Sequence, residues 1–187
     1  MKKFELTNEF VTNMFGTKLF RIRALVEFGD VEAGELGGYV EKESNLGHDD
    51  NAWVYGDARV YDNALVYDNA RVYGDAQVSG DARVYDNARV YGDAWVYGDA
   101  RVCGNGDYAY AHGFGFINRT TTFFRLKDGG VGVRCGCFYG TLAQFRDKIR
   151  ETHGETKKAQ EYLMLADLME LRFEEDENEV GNRKYVE

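Results

Sequence analysis

The sequence predicts a mainly β protein built around a short parallel β-helix of about three 18-residue rungs, with a β cap before it and a β layer plus two helices after it. Three observations carry this. A six-residue unit, Ala-x-Val-Tyr-Gly-Asp or Ala-x-Val-Tyr-Asp-Asn, recurs nine times without slipping from Ala52 to Asn105. Ala and Val sit two apart in each unit and so share one face of an extended strand, whereas a six-residue interval smears the same anchors round a helix. The units are joined by Gly-Asp, Asp-Asn and once Gly-Asn, residues that tolerate a left-handed backbone or bond their own main chain, as a corner requires. At an interval of 18, the corners at 56, 74 and 92 are all Gly-Asp, and those at 68, 86 and 104 all keep Asn second. Three units therefore close one rung, and nine units make three rungs.

Alternation turns Val and Ala inward and sends Tyr, with the residue between Ala and Val, outward. The outward columns then read Trp53/Arg71/Arg89, Arg59/Gln77/Trp95 and Leu65/Arg83/Arg101, flanked by Tyr at 55, 61, 67, 73, 85, 91 and 97. Residues 52–105 resemble the hexapeptide-repeat left-handed parallel β-helix family, with Val as its aliphatic position and Ala as the small residue four later. The departure is Tyr directly after Val, where that family often has a small or acidic residue. Identical side chains stacked on parallel rungs stabilise a sheet, and exposed Tyr, Trp and Arg are also the usual anchors of protein interfaces. The candidate binding surface is accordingly Trp53, Tyr55, Arg71, Tyr73, Arg89, Tyr91, Trp95 and Tyr97.

Residues 1–51 read as the N-terminal β cap and a first irregular coil: strand-like alternation over Lys3–Leu6 and Lys18–Val26, then glycine-rich turns between Phe28 and Val40. Solenoid ends expose unpaired strand edges and an open apolar core, so their terminal units must differ from the repeat. In residues 106–173 an aromatic run (Tyr108, Tyr110, Phe114, Phe116) leads to a strand at Thr120–Leu126. A hairpin turn at Asp128-Gly129-Gly130 follows, then a strand from Val131 to Phe138 with Cys135 and Cys137 on one face. Thr141-Leu142-Ala143-Gln144 has capping-box form and opens a helix that buries Leu142, Phe145 and Ile149 and ends near Gly154.

A second helix, from about Glu155 to Phe173, carries two apolar stripes, Ala159/Tyr162/Leu163/Ala166/Met169/Phe173 and Met164/Leu168/Leu171. A helix apolar on two sides has two things to pack against. Met164, Leu168 and Leu171 are expected to be the interface of a twofold homodimer, with a trimer as the alternative, since side-by-side trimers are common among the enzymes the repeat resembles. Residues 174–187 form an acidic tail.

The apolar content of 44% and aromatic content of 14% exclude a disordered chain. No apolar run approaches the roughly 18 residues of a membrane span and no secretory leader opens the sequence, so a cytoplasmic location is expected. Three cysteines read as reduced thiols rather than a disulfide framework, and Cys135-Gly136-Cys137 has no second pair to complete a zinc site. The net charge of −9 is opposite in sign to that of a phosphate binder, so direct nucleic-acid binding is not expected. Residues 27–50 hold eight acidic side chains against Lys42 alone, which suits a basic protein partner, one that itself binds nucleic acid included.

The segments Leu19-Phe20-Arg21-Ile22-Arg23-Ala24, Leu36-Gly37-Gly38-Tyr39-Val40 and Cys137-Phe138-Tyr139-Gly140-Thr141-Leu142 resemble uncharacterised hexapeptide-repeat proteins of phages and prophages. Hexapeptide-repeat acyltransferases generally use a histidine base between subunits, and carbonic anhydrases of this type bind zinc through three histidines on neighbouring coils. The repeat here contains no histidine; His48, His112 and His153 are scattered around it. The resemblance therefore implies origin and architecture rather than a cofactor or a metal. The expected function is a non-enzymatic protein-binding scaffold, phage or prophage encoded and acting in the bacterial host. It would inhibit a host or defence protein such as a nucleic-acid enzyme, in the manner of an anti-CRISPR. The alternative is an acyltransferase with an acyl-CoA donor and His112 as its base.

Overall fold

A computed structural model describes residues 1–114 and 119–174. The acidic tail beyond Glu174, and Phe116 of the aromatic run, lie outside the described residues. The element order is β1 (Phe4–Thr12), β2 (Lys18–Ala24), β3 (Leu36–Val40), nine two-residue strands, then β13 (Tyr108–Phe114), β14 (Arg119–Arg125), β15 (Val131–Cys135), β16 (Phe138–Thr141), α1 (Leu142–His153) and α2 (Lys157–Phe173). The two-residue strands are β4 (Trp53–Val54), β5 (Arg59–Val60), β6 (Leu65–Val66), β7 (Arg71–Val72), β8 (Gln77–Val78), β9 (Arg83–Val84), β10 (Arg89–Val90), β11 (Trp95–Val96) and β12 (Arg101–Val102). Neither helix is long and apolar enough to cross a membrane.

The nine short strands form three parallel faces: β4-β7-β10, β5-β8-β11 and β6-β9-β12. Their registers reproduce the columns predicted from the 18-residue interval, with Trp53 opposite Arg71 and Arg71 opposite Arg89, and likewise round the coil. On the first two rungs each residue between Ala and Val donates its N–H to an Ala carbonyl one rung on, and each residue after Val donates to a Val carbonyl, as in Trp53 to Ala70 at 3.1 Å and Tyr55 to Val72 at 2.8 Å. Every Val and every Ala of the repeat is fully buried, because the pleat points both into the coil. At eight of the nine corners the second residue after Val has positive φ: Gly56, Gly74, Gly80, Gly92 and Gly98, but also Asp62, Asp68 and Asp86. These turns thus place Asp in the left-handed region, which few residues other than Gly, Asn and Asp enter.

An irregular coil precedes the three regular ones, giving a solenoid of about four turns. Paired residues lie 20 apart at Val40/Val60 and Leu46/Val66 but 18 apart at Val54/Val72, so this coil has two extra residues between Leu46 and Val54. The bulging carbonyls converge on Lys3, whose buried ammonium donates to the carbonyl oxygens of Ala52 at 2.9 Å and of Asp49 and Asp50 at 3.4 Å. Antiparallel β1 and β2 continue the β5-β8-β11 sheet through β3.

The far end is closed by side chains as well as strands. On the last rung the N–H of Trp95 donates to Thr122 Oγ1 at 2.9 Å and that of Arg89 to Asn105 Oδ1 at 3.0 Å, so two edge donors are satisfied. Asp107 Oδ2 accepts from the N–H groups of Cys103 and Gly104, at 3.0 and 2.9 Å. Successive residues of β14 face opposite ways: Phe124 enters the solenoid core, and Phe123 enters a second core with Phe145, Ile149, Tyr162 and Ala166. One strand thus joins the two apolar layers.

The C-terminal sheet runs β13-β14-β15-β16, and here one expectation is corrected. Cys135 and Cys137 do not share a face of one strand. Gly136, at φ 58°, turns the chain between β15 and β16, leaving Cys135 buried and Cys137 exposed on the turn. The predicted cap of α1 is present: Thr141 Oγ1 accepts from the N–H of Gln144 and Gln144 Oε1 from that of Thr141. Helix α2 begins at Thr156, whose side chain accepts from the N–H of Ala159.

Candidate functional site

The outward columns, equivalent in sequence, end in three different surroundings. On the β5-β8-β11 face Tyr61 is only 2% exposed, packed with Leu19 and Tyr39 of the N-terminal cap; its hydroxyl donates to Gln77 Oε1 at 3.1 Å. Further along, the Trp95 indole donates to Ser79 Oγ at 3.0 Å and lies 4.1 Å beneath the Arg134 guanidinium. Tyr97 packs edge-on against Tyr139 with ring centroids 4.9 Å apart. Trp95 and Tyr97 are therefore half-buried under the β15–β16 hairpin, which corrects their assignment to an open binding surface. On the β6-β9-β12 face Tyr67 and Tyr85 stack at 5.2 Å, with Tyr85 buried.

Trp53 needs a second correction. It is 0% exposed, held edge-on by Phe28 at 5.3 Å and by Phe4 at 6.2 Å. A Cβ on Gly37 would stand 2.8 Å from its Cζ2 atom, so the glycine makes room for the indole. On this face the first rung is the edge of its sheet, and what lies outward on later rungs is covered there by the N-terminal cap.

The remaining five residues stay together on the β4-β7-β10 face. Tyr55, Arg71, Tyr73 and Arg89 line a shallow groove of about 300 Å³ with Asp30, and Tyr91, 43% exposed, stacks on Tyr73 with centroids 5.5 Å apart. Arg71 Nη1 donates to Asp30 Oδ2 at 2.7 Å and the Tyr55 hydroxyl to Asp30 Oδ1 at 3.1 Å. Burial by itself would raise the Asp30 pKa, but the hydrogen bonds from Arg71 and Tyr55 outweigh it and hold the carboxyl below its usual value. Burial lifts the Tyr55 phenol to about 12, with Asp30 adding to the rise and Arg71 opposing it. Arg89 is exposed and forms no ion pair among the described residues. A guanidinium beside phenol faces stacks on aromatic rings and meets carboxylates with two parallel donors, which suits this groove to recognition.

Asp30 escaped the sequence reading, which counted it only within an acidic stretch. Its signal was Gly29-Asp30, the same pair that turns the corners: Gly29 has φ 55°, and Phe28 bridges Val31.

The three histidines occupy separate settings. His112, on β13, has Nδ1 2.8 Å from Thr120 Oγ1 and 3.7 Å from Asp93 Oδ2, with its side chain 55% exposed. His48 stacks on Phe4, accepts the Lys3 N–H at Nδ1 and so presents its Nε2 proton to Glu43. His153 lies over Tyr162. No cluster of His, Cys, Asp or Glu fit to hold a metal occurs among the described residues. On α2, Ala159, Tyr162, Ala166, Met169 and Phe173 are buried, whereas Met164, Leu168 and Leu171 are 70%, 55% and 67% exposed.

No curated protein matches the chain. Five overlapping segments, residues 52–67, 58–74, 64–80, 76–92 and 82–98, match the YdcK Beta solenoid repeat. With the parallel ladders above, these matches establish residues 52–105 as a repeat β-solenoid.

Proposed function

We propose that this protein is a non-enzymatic, protein-binding scaffold that docks its partner on the β4-β7-β10 face. The observation that carries the reading is the column in which Arg71 pairs with Arg89 and Tyr73 stacks on Tyr91, with Arg89 and Tyr91 exposed beyond the cap that covers Trp53. Tyr and Arg are the side chains that most often anchor protein interfaces. Asp30 joins the groove to the acidic stretch of residues 27–50, which favours a partner with a basic surface. We extend the proposal to a phage or prophage origin and to inhibition of a host or defence protein such as a nucleic-acid enzyme; the resemblance of residues 19–24, 36–40 and 137–142 to phage proteins supports it. In the test, tagged protein captures partners from a bacterial lysate alongside an Arg89→Glu/Tyr91→Ala variant with an unchanged circular dichroism spectrum. The reading expects one protein retained by the wild type and lost by the variant, and capture of none by either would sink it.

The exposed Met164, Leu168 and Leu171 support assembly as a twofold dimer through α2, since a monomer would leave them in water. Light scattering should then show a dimer that becomes a folded monomer on Leu168→Glu/Leu171→Glu; a monomeric wild type would end this part of the proposal. The acyltransferase alternative predicts acyl-CoA binding abolished by His112→Ala. His112 lies outside both the groove and the cleft beneath α1, and for that reason the scaffold reading is preferred.

A further inference from the structure

We propose that the cleft between the C-terminal sheet and α1 binds a small organic monoanion with an aromatic or branched apolar body. The cleft measures about 370 Å³, a size at which small-molecule sites are common. Its walls are Phe138, Phe145, Ile149 and Tyr162, and three basic side chains, Arg119, Lys148 and His153, stand around it. Among the described residues no acidic side chain lines it, although the chain as a whole carries a net charge of −9. The fold thus concentrates positive charge over an apolar hollow in an otherwise acidic protein.

The three basic groups differ in what they offer. Lys148 is paired with Glu151 at 2.8 Å. Among the described residues no carboxylate lies within ion-pair distance of Arg119. Its guanidinium packs over Gly136, where any Cβ would collide with it, so the β15–β16 turn holds it beside the opening. His153 is fixed by stacking on Tyr162. In the wall, the Cys135 thiol accepts from Thr121 Oγ1 at 3.2 Å, and burial, with the Cys135 thiol beside it, raises the Tyr162 phenol to about 12. An anionic head group would meet Arg119 in bidentate fashion while its apolar body replaced water against the aromatic walls.

The probe pair is 1-naphthoate and its neutral isostere 1-naphthamide, titrated into the full-length protein by calorimetry. We expect 1-naphthoate to bind at least tenfold more tightly than 1-naphthamide, and Arg119→Gln to remove that preference. Lys148→Gln provides a second variant, weakening 1-naphthoate severalfold without the Arg119 change. Lys18→Gln, on β2 of the N-terminal cap and remote from the cleft, should leave the affinity unchanged. Equal binding of the two probes, no binding of 1-naphthoate, full retention in Arg119→Gln, or loss in Lys18→Gln would each overturn the assignment. Displacement of 1-naphthoate by an equal concentration of inorganic phosphate would also overturn it, since the apolar body would then be irrelevant.

Discussion

Two faces of the solenoid carry the same repeat and end in different surroundings. On the β5-β8-β11 face the outward aromatics are mortar: Tyr61 is sealed by the N-terminal cap, and Trp95 and Tyr97 by Arg134 and Tyr139 of the C-terminal hairpin. On the β4-β7-β10 face the same kind of column leaves Arg89 and Tyr91 in solvent. A repeat determines which residues share a column, because register follows the period, but the segments flanking it decide which columns are covered.

The sharpest way to break this comparison is a matched pair of substitutions. Tyr61→Ala should cost about 3–5 kcal/mol, the range for deleting a buried aromatic, whereas Tyr91→Ala should cost under about 1 kcal/mol. Midpoints of urea unfolding measure both; equal losses would mean that the two faces are alike after all.

The cap that seals Tyr61 also buries Lys3, and this gives a pH signature. Desolvation lowers the Lys3 pKa from 10.5 to about 8, against the pull of Asp50 and Asp49. Between those values the unfolded chain holds the proton that the folded chain has lost, so stability rises with pH across the window. At about 1.4 kcal/mol per unit the full rise is about 3 kcal/mol, and the part below about pH 10 precedes the ionisation of tyrosines. Lys3→Met should flatten the profile from pH 8 to 10; an unchanged slope would place its origin elsewhere.

A smaller effect tests the corners that space the faces. Gly80 has φ 73°, and a Cβ there would stand 2.8 Å from the Gly98 nitrogen, so Gly80→Ala should destabilise by about 1–3 kcal/mol. Asp86 has φ 53°, so Asp86→Gly should relieve strain and leave stability within about 1 kcal/mol of wild type. Thermal unfolding of the two variants would reveal whether they move in opposite directions.

Rungs, register and buried Val and Ala were all legible in the sequence, since a strict period leaves one way to stack them. So were the capping box at Thr141 and the two stripes of α2. What was not legible came from contacts between distant segments. Trp53 occupies an Arg column, and only its position on the first rung, above Phe4, Phe28 and Gly37, marks it as covered. Trp95 and Tyr97 follow the repeat faultlessly and are covered by a hairpin some 40 residues later in the chain. Asp30 and the cleft around Arg119 lie outside any period, and each draws residues from several elements.

The claim that the β4-β7-β10 face is the docking surface is tested most directly by quantitative capture with face-specific variants. Wild type, Arg89→Glu/Tyr91→Ala and Leu168→Glu/Leu171→Glu are each used to retrieve the same partner from a bacterial lysate, and bound partner is counted by mass spectrometry. The account predicts at least a tenfold loss for the first variant and retention by the second. Undiminished capture by Arg89→Glu/Tyr91→Ala would contradict it.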